Sequence, residues 1–206
     1  MDNNLLRDKI SFLNFVLITS VATAILYFTN LTTIEIGRYS LDGLVGWSLL
    51  TSFAGMSTYR STVPGLIVAV IWGLLAGCSV HTAINIATVL AGMCAYIMFS
   101  HLRPQSPLNV YEGALTGSVL HSCLTYLLNV HPNPNFAVFL LLELLISLGT
   151  FKAAVNKVRE LGFINHEDPT LVAKIEQDWV QKLLYNTINK IFKTNLCRPK
   201  KPCKTK

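Results

Sequence analysis

The chain reads as an all-α, polytopic membrane protein, a six-transmembrane-helix bundle followed by a C-terminal amphipathic cytoplasmic helix. Three observations predict this. Hydrophobic residues make up 51% of the 206 and charged residues only 14%, against roughly 25% charged in soluble domains. Six apolar stretches reach or approach the roughly 20 residues that a membrane-spanning helix needs. Of 17 Lys and Arg, 12 lie from Lys152 onward, and the acids divide six before and five after that point. Such an excess of basic residues marks a cytoplasmic segment.

The predicted spans are residues 10–29, 41–56, 63–78, 83–99, 114–129 and 136–151. The first follows Arg7 and Lys9 and continues without a break past Ala22-Thr-Ala24 through Phe28, so it reads as a retained helix rather than a cleaved leader. The third is announced by "STVPG", where Ser61 or Thr62 can cap and Pro64 can take the first turn. The fourth carries Ala83, Ala87, Ala91 and Ala95 at four-residue spacing, a ribbon of small residues on which helices pack closely. "HPNPN" at 131–135 breaks the chain between the last two spans. With both termini inside, the Arg60 and Arg103 loops are also inside and Arg38 is the single outer cation.

Residues 1–162 are read as the transmembrane domain and residues 163–206 as a basic cytoplasmic tail. In the tail, Asp168 can cap and Pro169 can open an amphipathic helix over 169–193, whose apolar face runs through Leu171, Ile175, Trp179, Leu183 and Ile188. The five cysteines form no disulfide or zinc pattern. No glycine-rich nucleotide loop or zinc-protease helix is present, so no cofactor, no metal and no catalytic residue is expected. The basic tail is read as facing anionic lipid rather than nucleic acid.

Ionisable groups inside apolar stretches are functional-site candidates, because burying one alone costs roughly 2.5 kcal/mol or more. His121 lies eight residues before Asn129, and Glu143 lies seven after Phe136. At 1.5 Å per residue both sit about 10–12 Å from the outer ends of adjacent antiparallel helices. Arg38 and Asp42 stand at the entry to the second span, and His81 and Asn85 share one face at the start of the fourth. Trp72 can supply an aromatic wall. The predicted ligand-binding set is therefore His121, Glu143, Asn85, His81, Arg38, Asp42 and Trp72.

"HTAIN" (His81, Asn85) and "TGSVLH" (Ser118, His121) partly resemble rhomboid proteases. Val119 stands where that family has glycine, and His121 follows the serine on the same helix. An enzyme is therefore not expected.

The stretch "YSLDGLVGWSLLTSFAGMSTYRSTVPGLIVAVIWGLLAG" and its flanks, residues 36–128, resemble two bacterial membrane modules. One is the substrate-binding S subunit of energy-coupling-factor transporters; the other is the multi-helix receptor module of Lyt-type sensors. Asp42, Arg60, Pro64, Gly65, Gly73 and Gly77 occupy corresponding places. The S subunit's Ala-x-x-x-Ala ribbon on the first helix is here Ser20 and Ala24, and the tail is too short for a sensor's kinase or cyclase domain.

The first resemblance implies a small-molecule-binding integral membrane protein that captures substrate for an uptake transporter, with a coupling ATPase complex as partner. The second implies a free-standing membrane sensor that signals through its tail to a cytoplasmic protein. A membrane assembly factor without a small ligand is the third expectation. All three place the chain in the bacterial inner membrane, with the lipid bilayer as partner and both termini cytoplasmic.

Overall fold

Alternation of apolar and polar residues in "TIEIGRYSLD" is a strand signal, and Gly37-Arg38 is a two-residue turn at its centre. The computed structural model describes residues 12–30, 33–59, 61–77, 79–103, 106, 108–130, 133–160, 186–187 and 190. It shows β1 (Thr33–Ile36) and β2 (Tyr39–Asp42) as an antiparallel hairpin. Gly37 has φ 63°, the conformation that places glycine first in such a turn. The all-α expectation is corrected here: residues 41–42 belong to a strand, not to a helix.

Six helices are described with this hairpin: α1 (Phe12–Phe28), α2 (Leu44–Tyr59), α3 (Val63–Leu75), α4 (Ser79–Leu102), α5 (Asn109–Leu127) and α6 (Phe136–Glu160). Their ends have local causes. The Ser61 hydroxyl accepts the Val63 N–H at 3.3 Å and Pro64 sits in the first turn of α3, whereas Thr62 makes no side-chain cap. Gly77, at φ 78°, closes α3. Asn129 has φ 50° and ends α5 with two bonds, Val130 N–H to Thr125 O at 3.1 Å and Asn129 N–H to Tyr126 O at 3.1 Å. That pair is the Schellman arrangement. Asn135 starts α6, its Oδ1 accepting the N–H groups of Ala137 and Val138 at 2.9 and 3.2 Å.

These boundaries overturn the six-span bundle. Only α4 and the Phe136–Ala154 part of α6 are, among the described residues, long and apolar enough to cross a membrane. With 13 residues, α3 reaches about 20 Å at 1.5 Å per residue, short of the roughly 30 Å hydrocarbon core, and the described part of α1 has 17 residues. The apolar part of α2 is Leu44–Met56, which is no longer than α3. Although α5 has 19 residues, its run is diluted by Asn109, Glu112, Thr116, Ser118, His121, Ser122 and Thr125.

The expectations built on six spans are corrected with it. These are the inner-membrane location with both termini cytoplasmic, the lipid bilayer as partner, substrate capture for a transporter with a coupling ATPase, and the membrane sensor and assembly roles. The tail helix expected over 169–193 lies almost wholly outside the described residues; of it, Asn186, Thr187 and Lys190 are helical.

The core forms around α2, which touches the other five helices. Val45, Leu49, Leu50 and Phe53 of α2 are buried with Trp72 of α3, Val89, Met93 and Ile97 of α4, and Phe151 of α6. Phe53 meets Tyr96 and Phe151 with ring centres 5.1 and 5.9 Å apart. A Cβ on Gly92 would lie 2.5 Å from Leu49, and one on Gly113 2.9 Å from the Gly92 carbonyl, so α4 and α5 meet through glycine. The first helix lies against α3, and the Trp47 indole donates to Thr23 Oγ1 at 3.0 Å. Buried hydroxyls return to their own helices: Thr23, Thr88, Ser118 and Ser122 each donate to the carbonyl four residues back at 2.7–2.9 Å. These hydroxyls are thus satisfied locally, whereas one cluster of ionisable groups joins several elements.

Candidate functional site

That cluster lies where β2 meets α3, α5 and α6. In a two-stranded hairpin each strand directs alternate N–H groups toward its partner and the others outward. The register pairs Ile36 with Tyr39 across the turn and Ile34 with Leu41, so the N–H groups of Ser40 and Asp42 point away from β1. Both find side-chain acceptors. Ser40 N–H donates to Asn133 Oδ1 at 3.3 Å, and Asp42 N–H donates to Glu143 Oε2 at 3.1 Å. The outer edge of β2 is therefore docked on α6 and the residues that lead into it.

The Glu143 carboxylate, fully enclosed, also approaches His121: Oε1 lies 3.3 Å from Nδ1. On the other side of the imidazole, Nε2 lies 3.8 Å from Asp42 Oδ2. His121 is 3% exposed and Asp42 15%, so one imidazole is held between two carboxyl groups with little water. Neither His121 Nδ1 nor Glu143 Oε1 has an aligned hydrogen-bond partner among the described residues, so their contact is chiefly electrostatic. Trp72, itself 3% exposed, stacks on the imidazole at 5.5 Å and 20° between planes. The other Asp42 oxygen, Oδ1, accepts the Leu44 N–H at 3.2 Å, which joins the end of β2 to the start of α2.

Burial raises the Asp42 carboxyl most, the charge of His121 pulls it down, the charge of Glu143 raises it again and the Leu44 N–H lowers it. The net result is an increase from 3.8 to about 7. Burial by itself would lower the His121 imidazole. The approach of Glu143 and the negative charges of Asp42 and Glu143 outweigh that, and its pKa is raised above 6.5. Burial first, and then the charge of His121, push His81 of α4 below its ordinary 6.5. A buried group that exchanges its proton near neutrality with charged partners on both sides is a functional-site signature.

Of the seven residues singled out from sequence, the structure brings together His121, Glu143, Asp42 and Trp72. His81 is close enough to feel the charge of His121. Asn85 is buried in α4 at 2% exposure. Arg38 is exposed in the hairpin turn and lines a separate cleft with Asn129, Asn133 and Pro134. Asn133 and the main-chain donors of β2 escaped the sequence reading, although the alternating "TIEIGRYSLD" carried the signal for the strand. Ser118, one turn before His121, donates to Ala114 O at 2.8 Å and so does not address the imidazole. No group of three or more potential metal ligands occurs among the described residues. No known protein family, curated protein or solved structure matches the chain.

Proposed function

We propose that this chain is a proton-responsive regulatory module and not an enzyme. The Asp42, His121 and Glu143 centre gains and loses a proton around neutrality, and that event controls how firmly the Thr33–Asp42 hairpin is held on the helices. One observation carries the reading. Glu143 contacts the titrating imidazole through Oε1 and the main-chain N–H of β2 through Oε2, so proton binding and hairpin anchorage share a carboxylate. With protons on both Asp42 and His121 the imidazolium balances Glu143. Loss of the Asp42 proton leaves an unbalanced negative charge in a site that water barely reaches, which is costly. The hairpin end that bears Asp42 then gains from moving outward.

Trp72 supplies the readout, because a protonated imidazole stacked on an indole quenches its emission. The test uses the full chain with Trp47→Phe and Trp179→Phe, leaving Trp72 as the only indole, titrated from about pH 5 to about pH 9. Emission is expected to rise with pH in a sigmoidal step. The step disappears in His121→Gln and moves in Asp42→Asn. Flat emission across the range, or the same step in both variants, overturns the proposal.

A further inference from the structure

The opposite end of β2 carries a second feature, at the open cleft where Arg38 meets Asn129, Asn133 and Pro134, with a volume of ≈ 380 Å³. Separate local constraints hold its walls. The positive φ of Gly37 makes a tight turn that presents Arg38. Asn129 occupies the left-handed position that closes α5. Asn133 is clamped through Oδ1 by the Ser40 N–H, which fixes the carbonyl end of that amide and makes its other end a donor. Helix α6 begins just beyond, at the Asn135 cap.

The chemistry of these walls has one sign. A guanidinium offers five N–H donors in a planar fork that matches two oxygens of a carboxylate or phosphate. Two amides add further donors, and among the described residues no carboxylate lines the cleft. Arg38 forms no ion pair among the described residues, in contrast to Arg103, which pairs with Glu112. The volume lies within the range of sites for small ligands, roughly 300–1,000 Å³. The backbone turn at Gly37 and the anchoring of Asn129 and Asn133 are in place before binding, which limits the freedom lost there when the ligand arrives.

We infer that this cleft binds the oxyanion of a small solute, a carboxylate or a phosphoryl group. Arg38 takes two of its oxygens, the amides of Asn129 and Asn133 donate to the same group, and Pro134 covers the adjoining apolar part of the solute. None of the four residues belongs to the Asp42, His121 and Glu143 centre, so failure of anion binding and failure of the Trp72 titration are distinguishable outcomes.

Calorimetric titration of the full chain with sodium acetate and with sodium phosphate, against sodium chloride at matched ionic strength, tests the assignment. Saturable heat with acetate identifies a carboxylate site, and with phosphate a phosphoryl site. Arg38→Gln should weaken the preferred anion by about tenfold or more, the scale of one lost charge-assisted pair. Arg38→Lys, which keeps the charge and loses the fork, should fall between. Asn133→Asp keeps an acceptor for Ser40 but turns a negative charge on the anion, and should abolish binding. The Trp72 emission of all three variants should match that of the parent, which shows that they are folded. If neither anion gives saturable heat above chloride, or if Arg38→Gln and Asn133→Asp bind as the parent does, the inference is wrong.

Discussion

Removing the Glu143 carboxylate does two things at once. It strips His121 of a counter-charge 3.3 Å away and leaves the Asp42 N–H without its acceptor. Breaking a buried ionic contact by deleting one partner typically costs about 3–5 kcal/mol. Glu143→Ala is expected to lose stability on that scale in urea unfolding. Glu143→Gln keeps an acceptor for the N–H but still removes the counter-charge, so it should lose less than Glu143→Ala by about 1–3 kcal/mol, the cost of an unsatisfied buried donor. At this scale the sequence was informative where an ionisable residue interrupts an apolar helix. His121 and Glu143 stood out for that reason, and their positions along α5 and α6 put them at one level. The sequence places Asp42 at a helix entry, as one of the ligand-binding candidates. Its role depends on the hairpin, whose outward N–H groups have no signature in side-chain identity.

Pairs of helices meet here through glycine, and the closeness differs sharply between positions. A Cβ on Gly65 would lie 1.9 Å from Ser52 Oγ and 2.6 Å from Ser52 Cα, so α2 and α3 would have to separate. Gly65→Ala is expected to cost about 2 kcal/mol or more, as overpacked sites do. Gly149 lies in α6 with nothing within 4 Å of its notional Cβ. Gly149→Ala should therefore stabilise by about 0.5–1 kcal/mol through helix propensity alone. Thermal unfolding of the two variants side by side checks both signs. Element boundaries were the least legible part of the sequence. A count of apolar residues joined 63–78 into one span, whereas Pro64 and the left-handed Gly77 confine α3 to 13 residues. In the same way the apolar Leu41 was drawn into a helix, although its neighbours alternate as a strand.

For the molecule as a whole, stability should fall as pH rises across neutrality. Asp42 has a folded-state pKa of about 7 against 3.8 in its ordinary state. The folded chain therefore holds a proton that the unfolded chain releases, and stability declines between about pH 4 and pH 7. His121, raised above 6.5, contributes fully below that value and loses its contribution as pH climbs through its folded pKa. His81, lowered from 6.5, acts with the opposite sign at more acid pH. Melting temperatures measured in steps from about pH 5 to about pH 9 should decline, and Asp42→Asn should flatten the carboxyl part of the slope. A parent curve that climbs over this interval would refute the assignment. Overall composition was a poor guide at this scale. It registers how much apolar surface the chain carries, and α1 and α6 do leave Leu13, Leu17, Leu141 and Leu145 exposed. It does not register how that surface is divided among helices of unequal length.

Both anchors of the hairpin are donated by the main chain. Any amino acid but proline supplies an N–H at position 40, so that residue is free to change its side chain without the strand coming loose, whereas Asp42 is also held by what its carboxyl group contacts. The acceptors at 133 and 143 have no such latitude. Descendants of this chain should therefore vary at position 40 and hold fast at 42 and at those two distant positions, a signature visible in genomes before any further structure is determined.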